Sequence, residues 1–163
     1  MCSRTWVVGL ALWGAAAGIS HAADWFVATN GSDAAAGTNW ATAKQTIQAA
    51  LNVAGSGDTV LVADGVYRED LNISNGISLV SVNGPYATII RARFWRCITI
   101  THSNVMVKGF TVTGGVSPDG NGGGIYANNQ KSLIDQCLIV SNSSTLFMHV
   151  SGGGIYGGTA RNC

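Results

Sequence analysis

From Asp58 onward, apolar residues come in short runs that alternate with polar ones. Thr59-Val60-Leu61-Val62-Ala63 and Ile77-Ser78-Leu79-Val80-Ser81-Val82 set the pattern. Ala87 to Arg91, Cys97 to Thr101, Val105 to Lys108 and Phe110 to Thr113 continue it, as do Ser132 to Asp135 and Cys137 to Ser141. All are rich in Val, Ile and Thr and bounded by Gly, Asn, Ser or Asp, so they predict short strands between turns. A helical period occurs once: Ile47, Ala50, Leu51 and Ala54 fall at i, i+3, i+4 and i+7. Thr46 is placed to cap this helix and Gly55 to stop it. So short a helix is marginal alone, and its expected role is to cover the exposed end of the strands downstream. Before it, Trp25-Phe26-Val27-Ala28 predicts one strand among the turn residues Asn30-Gly31-Ser32-Asp33 and Gly37-Thr38-Asn39. No second helix pattern exists, which excludes a βαβ fold.

The strands repeat. Gly122-Gly123-Gly124-Ile125-Tyr126 recurs letter for letter as Gly152-Gly153-Gly154-Ile155-Tyr156. A fixed period in this range marks stacked units. Three columns are expected. Val60, Leu79, Ile98, Ile125 and Ile155 form the first. Leu71, Thr88, Val105, Ser132 and Ala160 form the second. Phe110, Cys137 and Cys163 open the third. An antiparallel sandwich would not return one glycine triplet to the same point of successive units. A chain winding in one direction does. The expected fold is all-β, a right-handed parallel β-helix with a short N-terminal capping helix.

Composition sharpens this. The 22 glycines suit coil corners, where positive φ and close backbone approach are needed. At the N-terminus, Arg4 precedes the uncharged apolar run Trp6 to Ile19, and Ser20-His21-Ala22 supplies small residues around a cleavage point. Residues 1–22 therefore read as a secretory signal peptide, too short in its apolar run for a membrane span. The expected layout is 23–57 for the N-terminal strand and capping helix, then 58–163 for the coils. Cleavage after Ala22 removes one of nine Lys and Arg, leaving eight against eight Asp and Glu. A neutral chain without a basic stripe argues against nucleic acid. Cys97, Cys137 and Cys163 are an odd set for an exported chain, so at least one is unpaired within it. Cys137 and Cys163 share a column at about strand spacing, but parallel Cβ directions strain a disulfide. Stacked free thiols inside the coil are expected. Because the chain stops half a repeat after Gly152 with no terminal cap, it is expected to be the N-terminal part of a longer protein.

Several of these residues resemble known proteins. Thr46-Ile47-Gln48-Ala49-Ala50-Leu51, Gly57-Asp58-Thr59-Val60, Asp64-Gly65-Val66-Tyr67 and Thr88-Ile89-Ile90 resemble the entry of pectin-lyase-like β-helix proteins. Gly65-Val66-Tyr67-Arg68-Glu69 is similar to a segment of pectin methylesterases that many non-esterase β-helices share. Gly123-Gly124-Ile125 with Ile139-Val140-Ser141-Asn142 is similar to the paired motifs of polymorphic outer-membrane proteins. Gly124 stands there for Ala and Ile139 for Phe. The resemblance implies the fold, while the signal peptide implies a secreted or cell-surface place.

Candidate chemistry is sparse. Lyases on this fold use a basic residue near a bound carboxylate, with calcium held by acidic side chains. Arg91, Arg93, Arg96, Asp119, Asn121 and Asp135 are the residues available, fewer than the six to eight converging oxygens calcium takes. Glycoside hydrolysis needs two carboxylates about 5–9 Å apart, whereas Glu69 and Asp70 are chain neighbours. The catalytic motifs of pectin methylesterases and polygalacturonases are missing. His102 and His149 lack cysteine or acidic neighbours at metal spacing. Tyr126 and Tyr156 share a column and point outward if the isoleucines point in. They are the glycan-stacking candidates, and a ladder that stabilises the sheet is the alternative. No catalytic residue or metal ligand is assigned, and no cofactor is expected, calcium entering only if the full-length protein is a lyase. The functional expectation is a secreted or cell-surface β-helix scaffold contacting polysaccharide or surface glycan without catalysis in this segment. The alternative is the front of an extracellular, pectate-lyase-like lyase or hydrolase with its catalytic residues beyond residue 163.

Overall fold

A computed structural model describes residues 22–129, 131–145 and 152–163. The expected leader, except Ala22, and His149 lie outside the described residues. The described chain winds as a parallel β-helix with three faces. Strand β1 (Asp24–Val27), a 3-10 turn at Trp40–Thr42 and helix α1 (Ile47–Val53) come first. The first rung is β2 (Thr59–Val62), β3 (Gly65–Arg68) and β4 (Leu71–Ile73). The second is β5 (Ser78–Ser81), β6 (Thr88–Arg91) and β7 (Ile98–Ile100). The third is β8 (Met106–Lys108), β9 (Thr111–Thr113), a short β10 (Val116–Ser117) and β11 (Ile125–Ala127). The fourth is β12 (Leu133–Asp135), β13 (Leu138–Val140), β14 (Ser143–Ser144) and β15 (Ile155–Tyr156), after which β16 (Thr159–Arg161) returns to the first face.

The faces stack in the orders β1-β2-β5-β8-β12-β16, β3-β6-β9-β13 and β4-β7-β11-β15, with β10-β14 as a narrow fourth strip. Every pair is parallel. β1 belongs to the first face, pairing Trp25 with Val60, so the solenoid starts before residue 58.

The register corrects the expected columns. On the first face Val60, Leu79, Val107, Ile134 and Ala160 stack, and the turn from Val60 to Leu79 is the shortest. On the third, Leu71, Ile98, Ile125 and Ile155 stack, at nearly even steps. The expected first column ran Leu79 into Ile98, but these lie on different faces. Thr88 pairs with Gly65 on the second face, not with Leu71. Ala160 stacks on Ile134, two positions past Ser132. Phe110 and Cys137 do align, one position before the Thr111–Leu138 pair.

Alternation now has a physical meaning. Val60, Leu79, Val107, Ile134, Leu71, Ile98, Ile125, Tyr67, Ile90 and Val112 all point into the coil and are buried. Each aliphatic side chain removed from water contributes about 1.5–3 kcal/mol, and none of these strands could bury its face without the others. Corners set the turn of the chain. Gly109 (φ 78°), Gln136 (φ 53°) and Asn162 (φ 55°) follow strands of the first face in register and share the left-handed backbone conformation. From the third rung on, one left-handed residue makes this bend, and only one of the three is glycine.

Helix α1 closes the first rung. Ile47, Ala50 and Leu51 face the core. The Thr46 hydroxyl accepts the Ala49 N–H at 3.2 Å, and the Glu69 carboxylate accepts those of Ile47 and Gln48 at 2.8 and 2.9 Å. Burial pushes the Glu69 carboxyl up, with these two hydrogen bonds opposing. The helix ends on Ala54, and Gly55 gives its N–H to Asp58 at 2.8 Å rather than turning left-handed as a glycine stop would. Among the described residues, no helix is long and apolar enough to cross a membrane.

Candidate functional site

On the third face Ile98 and Ile100 point inward, so Thr99 points out. Asn72, Thr99, Tyr126 and Tyr156 form its outward column. The tyrosine rings lie parallel within 3°, centroids 5.3 Å apart. The Arg96 guanidinium lies over Tyr126 at 4.8 Å from its centroid. Arg96 belongs to the rung before Tyr126 and Tyr156 to the rung after, so both faces of Tyr126 are taken. The rings form a ladder along the axis, worth about 0.5–1.5 kcal/mol per aromatic pair. A saccharide could reach Tyr126 only at its edge.

Arg96 is held in place. Its guanidinium pairs with Asp119 and donates to the Ser117 hydroxyl at 3.2 Å and the Asn121 carbonyl at 3.0 Å. The Arg96 hydrogen bond keeps the Asp119 carboxyl below its usual range. Beside it, residues 92–96 bulge out before β7. The Asp70 carboxylate accepts the N–H groups of Arg93, Phe94 and Trp95 at 2.7, 3.1 and 3.4 Å. That clamp presents Phe94 and Trp95 to solvent, 67% and 59% exposed. A groove of about 360 Å³ runs between Trp95, Pro118, Asn72 and Thr99, with Asp70, Leu71 and Arg96 also lining it. It combines an exposed indole with an amide, a hydroxyl, a carboxylate and a guanidinium. A larger groove of about 630 Å³ follows the corner between the first and second faces, past Tyr86, Lys108 and Gln136. Size alone does not make that one the site. Of its polar groups, Asn162 is tied to Asp135 at 3.0 Å.

The residues considered for lyase or hydrolase chemistry separate. Arg96, Asp119 and Asn121 come together. Asp135 is on the first face, paired with Arg161 at 3.1 Å. Arg91 ends a strand of the second face, and Arg93 packs on Phe94. Glu69 and Asp70 diverge, one to α1 and one to the 93–95 loop. Among the described residues, no group of three or more His, Cys, Asp and Glu could hold a metal ion. His102 is a corner residue whose Nδ1 accepts the Asn104 N–H at 3.2 Å. Cys97, Cys137 and Cys163 are free thiols. Cys97 and Cys137 are inside the coil, whereas Cys163 is exposed, so the stacked pair expected inside is one buried thiol and one open one.

Sequence reasoning missed Trp95 and Asp70. The available signal was Arg91-Ala92-Arg93-Phe94-Trp95-Arg96, an aromatic pair between cations where an alternating strand would otherwise continue. No protein-family model matches the chain, and a search of curated proteins finds no relative.

Proposed function

We propose that the chain is part of an exported, cell-surface or secreted β-helix scaffold of pectin-lyase-like type whose third face binds saccharide without turning it over. The observation that carries this is the exposed Trp95 indole, on backbone held by Asp70, beside Asn72, Thr99 and Arg96 in one groove. Sugar rings present apolar C–H faces and hydroxyl rims. A planar aromatic with polar groups at its border complements both. Binding is favoured over catalysis because the carboxylates around the groove are consumed. Asp70 is spent on three backbone N–H groups, Asp119 on Arg96, and Glu69 on α1. Each is already engaged in holding the fold.

The test is a panel of polysaccharides and oligosaccharides titrated against the full chain and its Trp95→Ala variant. Saccharide binding weakened at least tenfold by Trp95→Ala is expected. Equal binding by both, or none by the wild type, would remove this reading.

A further inference from the structure

We infer that the saccharide recognised at the Trp95 groove carries a sulfate or phosphate ester, bound next to it on the second face by Arg68, Arg91 and Arg93. This rests on the saccharide-binding reading and narrows its ligand class. Arg68 and Arg91 are direct partners in the β3–β6 pairing, both exposed. Like charges placed opposite each other across a strand pair are destabilising. Arg93 stands two positions further on, in the loop pinned by Asp70, and lines with Arg68 a groove of about 390 Å³. The Arg91 side chain runs beside the next rung, its Cγ close to Gly114. Arg68 and Arg93 thus share one groove, and Arg91 starts beside Arg68 and runs on toward the next rung. Among the described residues, the ion pairs are Arg96–Asp119 and Arg161–Asp135, so none of the three is in one.

Glu69 and Asp70 line the same groove. Their oxygens are turned onto the N–H groups of Ile47 and Gln48 and of residues 93–95. Among the described residues no hydrogen bond or ion pair engages these three guanidiniums, and that of Arg93 lies over the Phe94 ring. An arginine fork matches planar or tetrahedral oxyanions. A carboxylate offers two oxygens and one fork satisfies it. A sulfate or phosphate monoester offers three terminal oxygens, enough for the Arg68 and Arg93 forks that share the groove with one to spare for Arg91 at its margin. Asp70 lines both this groove and the Trp95 groove, so one polymer can lie against the indole with its ester group among the arginines.

The full chain is titrated with dextran, dextran sulfate, a phosphorylated dextran and polygalacturonate, using the wild type, Trp95→Ala and the double variant Arg68→Gln/Arg91→Gln. The inference expects tightest binding to one of the two esterified dextrans, weakened by salt. The double variant should lose at least tenfold on that polymer; which dextran wins distinguishes sulfate from phosphate. In the wild type, inorganic sulfate or phosphate should also shield Arg68, Arg91 and Arg93 from phenylglyoxal, read by peptide mass. This needs no variant to fold. Preference for polygalacturonate, or unchanged ester binding in the double variant with no shielding, overturns the inference. If neutral dextran binds through Trp95 regardless, the saccharide reading survives without it. If ester binding needs the arginines but ignores Trp95→Ala, the anion site stands and the saccharide reading falls.

Discussion

Asp58 gathers three N–H donors from separate parts of the chain. Ala23 donates at 2.8 Å, the Trp25 indole at 2.9 Å and Gly55 at 2.8 Å. It thereby ties strand β1, the end of α1 and the start of the first rung. The Ala23 backbone hydrogen bond, then that of Trp25, holds its carboxyl below the ordinary 3.8. The sign follows. Above the unfolded value Asp58 is ionised in both states and its contribution is complete. As acid titrates it through the lower folded value, that contribution is lost. Wild-type melting temperature should therefore fall below about pH 4, and Asp58→Asn, already weakened by about 1–3 kcal/mol, should fall less over that range. Thermal melts of both across the acid range would decide; parallel curves would deny the clamp. Thiols give a second residue-level prediction. Burial pushes Cys97 and Cys137 up to about 11, and both are almost fully buried. In the native chain a thiol reagent should label Cys163, while Cys97 and Cys137 react only after denaturation, as peptide mapping would show. Native labelling of Cys97 would mean the coil opens.

At the scale of elements, the glycine triplets and the Asn142 segment are one device. The Gly122, Gly124 and Ile125 N–H groups bond to the Gly152–Gly154 carbonyls at 2.9–3.0 Å. Asn142 reaches back a rung, donating to the Val112 carbonyl at 2.9 Å and accepting the Gly115 N–H at 2.8 Å. A Cβ on Gly123 would collide with the Ser143 carbonyl and come within 2.8 Å of that of Gly153. Gly123→Ala should therefore cost about 3 kcal/mol or more. Gly55→Ala is the control. Its added carbon meets Asp58 at an ordinary 3.7 Å, and the substitution should be neutral or stabilise by up to about 1 kcal/mol. Chemical denaturation of the two variants checks both. The triplet was legible as a repeat, since its five letters recur unchanged. Why it had to be glycine was not, because the atoms it avoids belong to neighbouring rungs. The Tyr126–Tyr156 row was readable for the same reason as the triplet. Trp95 was not, because its presentation depends on Asp70, which lies far back in the chain on the preceding rung.

For the whole molecule, local pattern gave the strands and the winding, but not the face each strand joins. Val60 to Leu79 and Leu79 to Ile98 are equal steps along the chain, yet only the first is a full turn. The second rung spends more chain on its corners. Residues 82–87 hold a broad turn fixed by the Ser81 hydroxyl, which accepts the Gly84 N–H at 3.0 Å and lies 2.7 Å from the Thr88 hydroxyl. The 92–96 bulge adds more. The full turn that starts at Leu79 therefore closes only at Val107. An alternating run carries no label for its face, so equal spacing misled. Charge follows the true register. Lys108, Asp135 and Arg161 alternate in sign up one outward column, and the Arg161 hydrogen bond lowers the Asp135 carboxyl.

Corners of unequal length make the coil tolerant of insertions and deletions. The turn from Leu79 to Val107 is much longer than that from Val60 to Leu79, while strand pairing continues unbroken through both. Added length at a corner leaves the parity of inward and outward side chains untouched, whereas a single insertion inside a strand reverses it. A Gly-Ser dipeptide inserted after Asn83 should cost about 0.6 kcal/mol or less for the longer loop and about 1 kcal/mol for the Ser81–Gly84 hydrogen bond it displaces, read as a modest shift in the melt. One alanine between Thr99 and Ile100 would aim Ile100 at solvent and should abolish the cooperative transition. Such a chain can lengthen in its genes at the bends, or by whole turns, without relearning how to fold.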